Sequence, residues 1–187
     1  EMNIMAMERA IEEAPALPGD AALFINIDPP TFSHSQFVPS MLRAAAGAEI
    51  ALDRIVLEIT ERSAFTDDAR LEVFDELRAA GVRFALDDQG SAYSHLSQID
   101  RIRPSFIKIS NTFGTAFEED ETKECIVRHT VALARDFGCE TILEGIESTA
   151  TVHAAANAGV PLAQGFYFSR ACPASHWTGS KATLRAA

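Results

Sequence analysis

Six short apolar runs in this chain each end on a side chain able to bind a cation or move a proton: Asn26, Glu58, the pair Asp87 and Asp88, Lys108, Glu144 and Gln164. The sharpest case is RFALDDQG, residues 83 to 90, where two adjacent carboxylates close a segment that otherwise belongs in a core. Neighbouring like charges repel unless something positive is shared between them. Oxygen donors from Asp, Glu and an Asn amide, with no Cys or His among them, suit hard ions such as Mg²⁺ or Mn²⁺ and do not suit zinc. Successive strand residues point to different sides, so one aspartate can bridge two ions while its neighbour binds only the second. Two ions about 3.5 to 4 Å apart stabilise both the attacking and the leaving oxygen of an in-line displacement at phosphorus. Hydrolysis of a phosphoryl ester is the chemistry expected, with Lys108 steering a hydroxide or offsetting phosphorane charge and Glu144 holding a metal or accepting a proton.

Taken one by one, these residues have ordinary explanations. DDQG is a good turn sequence, a strand-end Lys commonly snorkels to the surface, Glu58 and Glu144 could cap loops, and Asn26 before DPP could start a turn. Coincidence carries the reading, because every expected strand brings such a group to the same edge. A barrel that stabilises an enediolate with Mg²⁺ and uses Lys108 as base is a further alternative. The adjacent aspartates speak against it, since an enolate-forming site has no use for a bridging pair.

The elements that would hold these groups repeat a plan of amphipathic helix, Gly and short strand. In TDDARLEVFDELRAAGVRFALDD, Leu71, Phe74 and Leu77 recur at helical spacing, Thr66 is a suitable N-cap, and Gly81 stands where a left-handed stop is wanted. ETKECIVRHTVALARDFGCETILEG repeats it, with Ile126, Val127, Val131, Ala134 and Phe137 expected on one face and Gly138 as the stop. TVHAAANAGVPLAQGF is a shorter third copy ending through Gly159. Adding the runs near Asn26, Glu58 and Lys108 makes six strands, which predicts a parallel α/β fold. Right-handed crossovers would close it into a TIM-like (β/α) barrel or an open doubly wound sheet. A full barrel takes about 250 residues, so six of the eight strands at this length predict an incomplete one. In such barrels the active site lies at the C-terminal ends of the strands, which gathers the scattered groups at one rim.

Length and composition agree with a single folded domain over residues 1–187, with the tail 178–187 expected to be loosely held. Acidic residues outnumber basic ones 27 to 16, and no stretch concentrates Lys and Arg, so duplex nucleic acid is not an expected partner. Cys125, Cys139 and Cys172 form no paired motif and are expected as small buried hydrophobes in a reducing, cytoplasmic setting. His34, His95, His129, His153 and His176 show no metal-binding spacing, and no Gly-rich phosphate loop or nucleophile elbow occurs. Neither a membrane-spanning apolar run nor a signal segment is present in the sequence, which starts at Glu1 and so is expected to be cut from a longer parent.

Six motifs, in order, resemble the EAL domain family, phosphodiesterases that open the bacterial messenger cyclic di-GMP. FINIDPPTF resembles the family's Asn-bearing strand, VLEITERS its E-x-T-E motif, and FALDDQGSAYSHL its D-D-F-G-x-G-Y-S-S-L loop. FIKIS resembles L-K-I-D, LEGIES resembles A-E-G-V-E-T, and QGFYFSRACPA resembles Q-G-Y with its trailing Arg and Pro. The resemblance implies two Mg²⁺ or Mn²⁺ ions held by Asn26, Glu58, Asp87, Asp88 and Glu144. It implies that Lys108 and Glu144, with Asp88, handle the attacking water, that Gln164 and Arg170 meet the substrate, and that Glu61 and Glu147 support the loop and rim. The implied product is linear pGpG. It further implies a homodimer through the loop after Asp88, a cytoplasmic domain in a parent open to membrane anchoring, and a sensor or GGDEF-type domain upstream.

Departures from the family pattern are specific. The E-A-L signature is absent from the sequence, Gln89, Ala92 and His95 replace Phe, Gly and Ser in the loop, and Ser105 and Ser110 replace aspartates around Lys108. They keep a second expectation in play: a degenerate, non-catalytic member that binds cyclic di-GMP or a protein partner.

Overall fold

A computed structural model describes the backbone over residues 2–60, 68–89 and 95–177, and side chains there except at 60, 68–71, 88–89 and 95–97. The chain divides into two compact units, the first running through Phe84 and resuming at Cys172, the second spanning Ala85–Ala171.

The first unit opens with α1, Met2–Glu13, which buries Ile4, Met7 and Ile11 at spacings of three and four, the period of an amphipathic helix. Then come β1 (Leu23–Asn26), α2 (Phe37–Gly47), β2 (Ile55–Thr60) and α3 (Asp68–Ala79). Strands β1 and β2 run parallel, Leu23 facing Ile55 through Asn26 facing Glu58. An aromatic chain forms part of the core: Phe32 lies 5.1 Å from Phe37 and 4.7 Å from Phe74, and Phe74 lies 5.0 Å from Phe84. Such tilted and edge-on ring pairs add to the burial of each Phe.

Strand β3, Arg83–Gln89, starts in the first unit and ends in the second. The second unit continues with α4 (His95–Ile102), β4 (Phe106–Ile109), α5 (Asn111–Gly114), α6 (Glu121–Asp136), β5 (Glu140–Leu143), α7 (Thr149–Asn157) and β6 (Leu162–Ala163). β3 through β6 pair in succession and in parallel. Their core is built from Ile109, Phe117, Val127, Val131, Leu143, Ile146, Ala155 and Ala158.

Six strands are thus present among the described residues, at the six places expected. The helix stops are also as expected, with φ of 104° at Gly81, 73° at Gly138 and 79° at Gly159. Two expectations fail on α6. Ile126 and Phe137 are exposed while Val127, Val131 and Ala134 are buried. The helix buries a narrower stripe than its apolar composition suggests, and these two residues fall outside it. Of the cysteines Cys139 is buried, but Cys125 is exposed, and its Sγ lies 3.5 Å from Nδ1 of His129 one turn on. Burial pushes the Cys139 thiol up. The N-cap expected at Thr66 and the tail 178–187 lie outside the described residues.

Ala116, between α5 and the turn Phe117–Glu119, has φ of 50° and ψ of 35°. This left-handed geometry costs an L-residue about 1 kcal/mol and glycine far less, while glycine loses more chain entropy on folding. Ala116→Gly is therefore expected to raise the unfolding free energy by roughly 0.5 kcal/mol, read as a higher urea midpoint at constant slope. A lower midpoint would show that the strain is absent.

Candidate functional site

Lys108 is the organising residue of the second unit. Every residue of β4 is buried, and Lys108 itself is only 4 % exposed, so its side chain does not snorkel to water. A buried ammonium survives only with close partners. Nζ lies 2.9 Å from Oδ1 of Asp87 and 2.7 Å from Oε1 of Glu144. The same Glu144 oxygen accepts a hydrogen bond of 3.0 Å from Nε2 of Gln164. Groups from the ends of β3, β4, β5 and β6 thus meet around one cation, as the strand-end pattern predicts.

Parallel register explains the meeting. Lys108 pairs with Ile142 across β4 and β5, two residues before Glu144, and Glu144 continues the ladder by donating its N–H to the carbonyl of Ile109. Side chains at alternate positions share a face, so Glu144 comes to the same side as Lys108. On the other flank, Leu86 pairs with Ile107 and Gln89 with Ile109, so β3 has one more residue than β4 between these pairs. Asp87 and Asp88 occupy this irregularity. Such bulges re-aim side chains and occur beside active sites, which accounts for two adjacent carboxylates at a strand end. The side chain of Asp88 lies outside the described residues, as does Glu61.

Beside Glu144 opens a cleft of about 200 Å³, lined by Asn111, Glu144, Glu147, Gln164 and Phe166 among others. Glu147 is exposed. Arg170 is exposed as well, and its guanidinium stands 4.4 Å over the ring of Phe166, which is itself 58 % exposed. Sequence reasoning missed Asn111 and Phe166. An Asn after a strand and a Phe inside an apolar run look like cap and core, and only exposure tells otherwise. The first unit has clefts of about 680 and 690 Å³, one lined by Glu8, Arg43 and Glu49, the other by Phe32, Val38 and Leu42. Both are larger than the cleft beside Glu144, so it is converging charge rather than volume that picks out the site.

In the first unit, Asn26 and Glu58 face each other in register at the ends of β1 and β2. Glu58 is buried at 5 % exposure and Asn26 is exposed. The backbone N–H of Ile27 donates to the carbonyl of Glu58 at 3.0 Å, holding the two strand ends together.

A model of the EAL domain family matches residues 1–171. The chain belongs to the EAL domain family. It is 31 % identical over 164 residues to MucR of Pseudomonas aeruginosa, a bifunctional diguanylate cyclase/cyclic di-GMP phosphodiesterase. That match takes in 87 % of this chain but 24 % of the relative, so the chain spans about a quarter of that protein. The EAL domain of Mycobacterium smegmatis DcpA superposes with a TM-score of 0.88 at 26 % identity, over 95 % of this chain and 82 % of the other. Klebsiella pneumoniae BlrP1, in a complex with manganese and cyclic di-GMP, gives 0.80 at 30 % identity over 91 % of this chain and 44 % of the other. The fold is accordingly that of EAL domains, an incomplete TIM-like (β/α) barrel with six parallel strands among the described residues.

In the second unit Asp87 and Glu144 offer carboxylate oxygens, the donor type that a hard divalent cation takes. Among the described residues, no group of three His, Cys, Asp or Glu side chains is gathered closely enough to hold a metal. Between Asp87 and Glu144 the positive charge is the ammonium of Lys108.

Proposed function

We propose that the full-length protein hydrolyses cyclic di-GMP to linear pGpG in bacterial second-messenger signalling. The observation that carries this is the buried Lys108 ammonium held between Asp87 and Glu144 at the strand ends. A structural lysine is seldom buried with two carboxylates, whereas charge developing on phosphorus calls for a fixed cation beside a proton acceptor.

Asn26, Glu58, Asp87, Asp88 and Glu144 are the residues that would hold two Mg²⁺ or Mn²⁺ ions, which when bound lower the pKa of water and neutralise charge on the phosphate. The chain's own groups supply the rest. Lys108 keeps a positive charge, fixed by two carboxylates, where a phosphorane oxygen turns negative. Glu144 offers Oε1 as the acceptor for a proton from water, and Gln164 orients that oxygen through its amide. Arg170 over Phe166 offers a cationic, planar contact to the dinucleotide. Glu147 supports the rim; the anchoring by Glu61 and the pairing of two copies through the loop after Asp88, which the family resemblance implies, fall outside the described residues. No described helix is long and apolar enough to cross a membrane. The family resemblance is what leads us to place the domain in the cytoplasm.

The test is direct: full-length protein with Mn²⁺ or Mg²⁺ converts cyclic di-GMP to pGpG on an ion-pairing column, and a chelator stops it. No product with either metal would sink the reading. The altered loop residues Gln89, Ala92 and His95 favour one alternative, a receptor that binds the nucleotide without turnover. Isothermal titration showing metal-independent binding with no pGpG would establish it.

A further inference from the structure

We infer that Gly114 is a positioning residue that sets where Glu144 stands, a role that rests on the catalytic reading of Glu144 above. α5 is a single turn, Asn111–Gly114, capped by the Ser110 hydroxyl accepting from the N–H of Thr112, and it lies directly behind the end of β5. A methyl group placed on Gly114 would stand 1.7 Å from the carbonyl oxygen of Glu144 and 2.9 Å from its carbonyl carbon. No real contact is that short. The opposite side of the seam is bare as well, since a methyl on Gly145 would meet Cβ of Asn111 at 2.9 Å and Oγ1 of Thr115 at 3.0 Å. At Gly114 two backbones therefore touch with no room for a side chain, and the one on the β5 side belongs to the residue that holds Lys108 and faces Gln164.

The glycine is not required by its own conformation. Gly114 has no positive φ, unlike Gly145 at 78°, so alanine could adopt its backbone shape without strain. Gly114 is buried against the Glu144 peptide, so a side chain there acts on that peptide. To reach ordinary contact the two must part by about 1.7 Å. Glu144 is tied by its N–H to the carbonyl of Ile109 and by its carboxylate to Nε2 of Gln164, so moving its carbonyl also strains the placement of the carboxylate. A shift of that size breaks a 2.7 Å contact to Lys108. Misplacing a catalytic group by about 1 Å can cost 100-fold in rate.

Gly114→Ala in the full-length protein is expected to lower kcat for cyclic di-GMP by at least tenfold with KM within twofold. Val131→Ala, in the same core but away from the seam, is the folding control and is expected to lower Tm while kcat stays within twofold. Unchanged kcat in folded Gly114→Ala would overturn the inference. If that variant does not fold, Phe113→Leu loosens the seat of the same turn, and there a kcat at least threefold lower supports the role while an unchanged one overturns it. A crystal structure of Gly114→Ala gives a readout free of catalysis: separation of Lys108 from Glu144 supports the role and an intact 2.7 Å contact refutes it. Absence of turnover by the unmodified protein would instead sink the functional reading and leave that structure to decide.

Discussion

Lys108→Met is expected to abolish measurable turnover and at the same time to destabilise the second unit. Lys108 is 4 % exposed, and the facing side chains of Asp87 and Glu144 are 14 % and 15 % exposed, so removing the ammonium leaves two mostly buried carboxylates facing each other. Breaking a buried ion pair from one side costs about 3 kcal/mol or more, because the remaining charge has lost its partner. Loss of the fixed cation removes a preorganised charge from the reacting phosphorus, and a fall in kcat of about 10³-fold follows from the effect of single electrostatic groups. The two effects separate in a second variant. Lys108→Met with Glu144→Gln has one carboxylate fewer to strand, so part of the stability returns while activity does not. Denaturant midpoints and initial rates on the same preparations check this. A Lys108→Met protein as stable as the parent would mean that the three groups do not form a buried cluster.

Glu144→Gln alone is expected to lower kcat by 10² to 10⁴-fold with KM within about threefold, since the amide fills the same space but accepts no proton at neutral pH. The bond from Gln164 Nε2 to Oε1 can survive in the amide, whereas one of the charges that offset Lys108 is gone and that of Asp87 stays. Gln164→Ala should cost about tenfold, since it removes orientation and leaves the proton acceptor in place. Stopped assays over a range of cyclic di-GMP concentrations measure both. If Gln164→Ala costs more than Glu144→Gln, the amide itself acts on the substrate and the assignment of Glu144 as acceptor fails.

The loop that bears the family departures is a reason to measure rather than assume regulation. Gln89, Ala92 and His95 stand where the family pattern has Phe, Gly and Ser. Ala92 and the side chains of Gln89 and His95 lie outside the described residues, and dimerisation through that loop is what the family resemblance implies.

Much of this protein was legible in the order of its residues. Strand-length apolar runs mark the six strands locally, a helix with a glycine stop precedes β3, β5 and β6, and each run carries a polar residue at or near its end. Period and stop signals are short-range physics, which is why Gly81, Gly138 and Gly159 could be placed without coordinates. Where Asp87, Lys108 and Glu144 meet was legible only as an expectation, because it depends on the register between strands far apart in sequence. The extra residue in β3 at Asp87 and Asp88 shows how one irregularity, invisible to periodicity, re-aims a ligand. Burial was decided by the tertiary structure too. Cys125, Ile126 and Phe137 are as apolar as their buried neighbours on α6, and what exposes them is the width of the face that α6 packs. The seam at Gly114 belongs to the same class: a missing side chain carries no chemistry of its own, and acquires a role only from the backbone folded against it.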